Sequence, residues 1–158
     1  MTRRKLLAAA LLLATASAQA ATPTQAQPDL PKEPLVIVTH DGQPHRFQVE
    51  MALTPGQQET GLMFRPSVPA DGGMLFDWGA PRESEMWMRN TVAPLDMVFI
   101  NADGTVRSIA ENTVPQSLAV IDSRGPVRAT LELAAGTAER LEIRVGDRVQ
   151  QRIFGNAS

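Results

Sequence analysis

The sequence predicts a mainly β protein: an antiparallel sandwich or barrel-like (jelly-roll-like) single domain with one or two short helices. Short runs in which large apolar and polar side chains alternate, such as His45-Arg-Phe-Gln-Val-Glu-Met-Ala-Leu53, carry the two-residue period of a half-buried strand. Turn-forming Gly, Pro, Asn and Asp separate these runs at spacings of about 8–12 residues, the rhythm of a sandwich or barrel. Residues 35–154 have the usual length of one domain, roughly 120 residues. A chain of that size buries about two thirds of its unfolded surface and holds without staples.

The chain opens on Arg3, Arg4 and Lys5, followed by an apolar run from Leu6 to Ala14 and small residues through Ala20. That order predicts a secretory signal peptide over 1–20, cleaved after Ala20 and too short to span a membrane. Thr2-Arg3-Arg4-Lys5-Leu6-Leu7 is also similar to a twin-arginine signal, so the export route stays open. Residues 21–34, rich in Ala, Thr, Gln and Pro, predict a flexible tether. The expected location is periplasmic or secreted, with no integral membrane segment after cleavage. Seventeen Asp and Glu against the twelve Lys and Arg outside the basic patch leave the exported part at net −5. An acidic balance without a basic cluster suits neither nucleic acid nor an anionic membrane, so no nucleic-acid partner is expected. The chain has no Cys, which excludes a disulfide, thiolate chemistry and an acylated lipoprotein anchor.

Within the domain, Leu35–Thr39 and His45–Leu53 flank Asp41-Gly42, a hairpin signal. Thr54-Pro55-Gly-Gln57 starts a short helix, with Thr54 as N-cap, Pro55 at the first helical position and Gln57 closing a capping box. The helix runs towards Leu62 or Phe64 and stops before Pro66. A Pro/Gly loop over Ser67–Gly73 leads to a strand at Met74–Trp78, and a second loop ends at Ser84. Glu85–Thr91 and Pro94–Ile100 predict two strands, and Asn101-Ala-Asp-Gly104 turns the second back into Thr105–Ala110. Leu118–Ile121 and Val127–Leu133 are further strands, Thr137–Leu141 a single helical turn, and Asp147–Phe154 the closing strand before a tail over 155–158.

Gly61-Leu-Met-Phe-Arg65, Gly73-Met-Leu-Phe76, Trp87-Met-Arg-Asn-Thr91 and Pro94-Leu-Asp-Met-Val-Phe-Ile100 resemble, in order, the blocks of the bacterial and archaeal family known as domain of unknown function 192. Pro115, Leu131-Glu-Leu-Ala-Ala-Gly136 and Val145-Gly-Asp147 continue the resemblance, which spans Val36 to Val149. It implies a small, often exported, mainly β protein and brings no agreed activity, so no catalytic residue is carried over. The positions matching the family's polar signature are Arg65, Trp87, Asn90, Thr91, Asp96 and Glu132. Two departures stand out: Met86 where an aromatic is frequent, and Arg89 where Lys is usual.

The expected ligand site gathers Arg65, Trp87, Arg89, Asn90, Thr91, Asp96 and Glu132. Trp87 shares a strand face with Glu85 and Arg89, and a Trp on a polar face can stack on a planar ligand, a sugar or a cation. Asn90 and Thr91 fit a turn equally well. Asp96 lies in an apolar strand and needs a partner, with Arg65 or Arg89 at hand; its alternative role is to meet a ligand. Glu132, between Leu131 and Leu133, faces solvent or the site. The leading expectation is an exported binder of a small polar molecule or glycan. The alternatives are a hydrolase or transferase on envelope saccharides using Asp96 and Glu132, and Cu(I) binding through the methionines, which otherwise fill the core. The chain has two histidines and no G-x-S-x-G, Walker or H-E-x-x-H motif, so neither a cofactor nor a histidine metal site is expected.

Overall fold

A computed structural model describes residues 22–157, so the signal peptide expected over 1–20 lies outside the described residues. The hairpin signal at Asp41-Gly42 joins β1 (Lys32–Val38) to β2 (Pro44–Ala52) in an antiparallel pair. β1 thus begins inside the stretch expected to be a tether. Residues before it are docked as well: the Gln27 side chain donates to the carbonyls of Gln57 and Gly61, and Leu30 packs against the core.

The capping box forms as predicted at α1 (Pro55–Thr60), where Thr54 Oγ1 accepts from Gln57 N–H and Gln57 Oε1 accepts from Thr54 N–H. Gly61, at φ 49°, ends the helix earlier than expected, and Leu62 and Met63 follow as buried loop residues. β3 (Gly72–Arg82) then pairs parallel to β2. This corrects the expectation of a purely antiparallel sheet. Parallel neighbours need a crossover of about a dozen residues or more, and the segment 53–71 with its helix supplies it.

The stretch 85–100 yields one full strand rather than two. β4 is only Glu85–Met86, whereas β5 (Leu95–Ile100) is buried throughout. β6 (Val106–Ala110) follows the predicted turn. The strand expected over Leu118–Ile121 shrinks to β7 (Ile121–Asp122), which pairs with β4. β8 (Val127–Ala134) and α2 (Thr137–Leu141) fall where predicted. β9 (Arg148–Gln150) is shorter than expected and ends in a 3-10 turn at Arg152–Phe154.

Seven strands form one sheet in the order β6-β5-β8-β3-β2-β1-β9. The sheet curls as a half-barrel until its two edges touch at one end, where Thr105 bridges Arg148 and Val149 N–H donates to the Gly104 carbonyl at 2.7 Å. The fold is therefore mainly β, barrel-like and single-domain, with two short helices. Among the described residues, no helix is long and apolar enough to cross a membrane.

Curling gives the sheet two apolar faces. Leu35, Phe47, Val49, Leu75, Val98 and Leu131 fill the inner face. Met74, Phe76, Met97, Phe99 and Val127 belong to the outer face, which the segments around Leu62 and Met88 cover. Each large side chain buried this way contributes about 1.5–3 kcal/mol. Gly73 lets β3 approach β8: a Cβ there would sit 2.4 Å from the Glu132 carbonyl oxygen.

Candidate functional site

The cover over the outer face is incomplete, and the gap is a pocket of about 420 Å³. The two-residue period of β3 places Met74, Phe76 and Trp78 on one face. Phe76 and Trp78 form the pocket's aromatic wall, their rings 5.7 Å apart. Trp78 Nε1 donates to Thr130 Oγ1 at 3.2 Å, and that hydroxyl also meets Ser84 Oγ at 3.0 Å, so the indole is held in place. The Arg82 guanidinium lies 4.2 Å from the Trp78 ring centroid. α1 and the loop after it form the opposite wall, fixed by Gln58 Nε2 donating to the Asp77 carbonyl at 2.8 Å. The third wall carries Met86, Trp87 and Thr91. It is tied to the helix side where Phe64 N–H donates to the Asn90 carbonyl at 2.8 Å.

Glu132 lies at the floor of this pocket, 4% exposed. In register it sits between Met74 on β3 and Met97 on β5, both fully buried. Two thioether side chains offer little solvation to a carboxylate, and burial pushes the Glu132 carboxyl up to about 8. Among the described residues its carboxyl forms no ion pair, and burial alone, with no hydrogen bond beside it, accounts for the shift. It is held as a neutral acid at neutral pH, able to donate a proton or a hydrogen bond into the pocket.

The structure divides the expected site residues. Trp87, Thr91 and Glu132 line the pocket; Arg65, Arg89, Asn90 and Asp96 do not. Trp87 is 45% exposed, and Arg89 stacks over it at 5.4 Å. Asn90, at φ 56°, shapes the turn and donates from Nδ2 to Met63 Sδ. Arg65 pairs with Glu50 rather than with Asp96, its Nη1 lying 2.5 Å from Oε1 and Nη2 2.9 Å from Oε2. Asp96 is fully buried on the same face as Val98 and Ile100. Its two oxygens accept from Asn112 N–H at 2.9 Å and Ala138 N–H at 2.8 Å, which caps α2 from another strand.

Asp96 and Glu132 therefore occupy opposite faces of the sheet and do not form the carboxylate pair that glycoside chemistry needs. Of the described methionines, Met74, Met88 and Met97 are sealed in the outer core, with Met88 Sδ accepting from Thr113 Oγ1, and only Met63 and Met86 reach the pocket wall. Phe76, Trp78, Arg82, Glu85 and Met63 line the pocket without having been picked out as site residues. The face shared by Phe76 and Trp78 was legible in the alternation of β3, but not what that face would meet.

The sequence profile of the family described as uncharacterised ACR, domain of unknown function 192, matches residues 36–151. No curated protein matches the chain. Among solved structures, a protein of Sinorhizobium meliloti 1021 described as a candidate transcription regulator is 48% identical, with a TM-score of 0.78 over 81% of this chain and 99% of its own. A protein of unknown function from Novosphingobium aromaticivorans DSM 12444 is 38% identical, with a TM-score of 0.75 over 87% of this chain and 99% of its own. The description of the Sinorhizobium protein overturns the reading of this chain as a periplasmic or secreted binder of a small polar molecule or glycan. The expected absence of a nucleic-acid partner falls with it, as do the hydrolase and Cu(I) alternatives framed for an exported protein.

Proposed function

We propose, for a chain that belongs to the domain of unknown function 192 family, a regulatory role exercised by binding a compact, largely apolar effector in the pocket over Glu132. One observation carries the reading: a neutral carboxylic acid without a partner sits at the floor of a cavity walled by Phe76, Trp78, Met63 and Met86. Concave sites that combine apolar walls with a few convergent polar groups are the common form of a small-molecule site. The regulatory half of the proposal is supported by the 48% identical Sinorhizobium protein, 99% of which is covered by the likeness. α1 has six residues and α2 five, so the described fold offers strands and loops, rather than a recognition helix, for contact with nucleic acid.

The test is thermal unfolding and Trp fluorescence of the full chain with a panel of compact aromatic compounds. DNA retention is measured in parallel, with and without the compound that binds best. A binder raises the midpoint of unfolding, quenches Trp fluorescence and alters retention, and Trp78→Ala weakens its affinity by about tenfold. If no compound moves the midpoint and retention is the same throughout, the role proposed here is wrong.

A further inference from the structure

The row of side chains that contains Glu132 also contains its counterexample. Across the outer face, Glu50 on β2 is in register with Met74 on β3, and Met74 with Glu132 on β8. Both acids are buried. Glu50 receives the Arg65 guanidinium through two hydrogen bonds, with the Leu30 N–H as a third donor at 2.7 Å. Glu132 receives nothing from the protein and opens only into the pocket. Arg65 is engaged by Glu50 and by Asp29 at 3.3 Å, so it is committed on the far side of Met74.

The remaining charges around the pocket fit one sign of guest. Glu59 and Glu85 stand exposed at its rim, and the single cation among its lining residues, Arg82, is stacked over Trp78. Trp78 and Trp87 each carry an arginine over the ring, so both indoles already act as cation–π acceptors within the protein. A phosphate or carboxylate guest would have to pass the two exposed acids at the rim.

We infer that the pocket is selective for an organic cation, an ammonium or guanidinium group on an apolar or aromatic body, with the cation paired to the Glu132 carboxylate and the body against the two tryptophans. The inference rests on the proposed effector pocket and names its ligand class. The proton balance follows from the chemistry. The ligand arrives already protonated, the Glu132 carboxyl gives its proton to the buffer, and the ammonium replaces that proton as the partner of the carboxylate. Binding is therefore coupled to proton release, and the groups near Glu132 that could share in it are Glu59, Glu85 and Arg82, with the Arg65–Glu50 pair beyond Met74.

Calorimetry on the full chain with 2-phenylethylamine and its neutral counterpart 2-phenylethanol, at about pH 7 in two buffers of different ionisation heat, tests this. The amine is expected to bind about tenfold tighter or more, releasing about one proton per ligand. The near-isosteric Glu132→Gln should remove both the preference and the proton release. The comparison of amine with alcohol needs no variant, so it stands even if Glu132→Gln folds poorly. Equal affinities, proton-neutral amine binding, or an unchanged preference in Glu132→Gln would overturn the cation and leave the effector pocket in place. Binding of neither compound overturns the cation as well, and silence across the wider aromatic panel would remove the pocket reading with it.

Discussion

Two acids in one row of the outer face have opposite fates. Glu50 and Glu132 are separated by Met74, two strand spacings or roughly 10 Å. The Glu50 end of the row is closed: the docked N-terminal segment brings Leu30 and Asp29 to it, and the loop after α1 brings Arg65. The Glu132 end is covered by aromatic rings and thioethers that offer it no donor and no charge. The difference teaches what converts a buried acid from architecture into chemistry. It is the supply of partners by the covering segments, since both strands present their carboxyl to the same side.

Asp96 extends the comparison to the inner face as an acid satisfied by backbone N–H groups alone. Asp96→Ala leaves the Asn112 and Ala138 N–H groups unpaired inside the fold. It should cost about 4 kcal/mol in urea unfolding; a loss under about 1 kcal/mol would show that the capping of α2 is incidental. Arg65→Ala comes next, because it leaves Glu50 a buried acid with only the Leu30 N–H as donor. It should cost about 3 kcal/mol. Arg65→Ala with Glu50→Gln should recover part of that, and no recovery would mean that Arg65 acts through packing alone.

For Glu132 the expected effect is one of pH. Its folded value is raised from 4.5 to about 8, so between these limits the folded state holds a proton that the unfolded state has lost. Stability is full below about pH 4.5, falls as pH rises towards 8, and levels off above. Wild type should lose at least about 2 kcal/mol more than Glu132→Gln between these limits, read from chemical unfolding at a series of pH values. Parallel curves would place a hidden partner at the carboxyl. The smallest effect belongs to the wall over the pocket. Thr54→Ala removes the capping box of α1 and should cost about 1 kcal/mol, and a cost above about 3 kcal/mol would show that the helix holds the fold as well as the pocket.

What was legible in the sequence was local. The alternation through Phe47, Val49 and Met51, the Thr54–Gln57 capping box and the turn at Thr137–Leu141 all report on neighbours within a few residues, and each appears in the fold. The parallel pairing of β2 with β3 was not legible, because pairing order is a long-range property. Leu118 and Val120 have strand-forming side chains yet stay exposed, since only Ile121 and Asp122 find a partner strand. Glu132 could be assigned a face from Leu131 and Leu133. Its burial depends on segments dozens of residues away, around Leu62 and Trp87, which local pattern cannot report. Asp96 was rightly expected to need a partner; its donors are backbone N–H groups, which leave no mark in side-chain identity.

The meeting of Thr105 with Arg148 has a consequence for how copies of this protein treat one another. A sheet edge is a template on which a foreign strand can add. Here the two edge strands are five and three residues long, and at one end each spends its hydrogen bonds on the other. A neighbouring molecule finds few free rungs to extend, so the curl that forms the core also guards the chain against edge-to-edge aggregation.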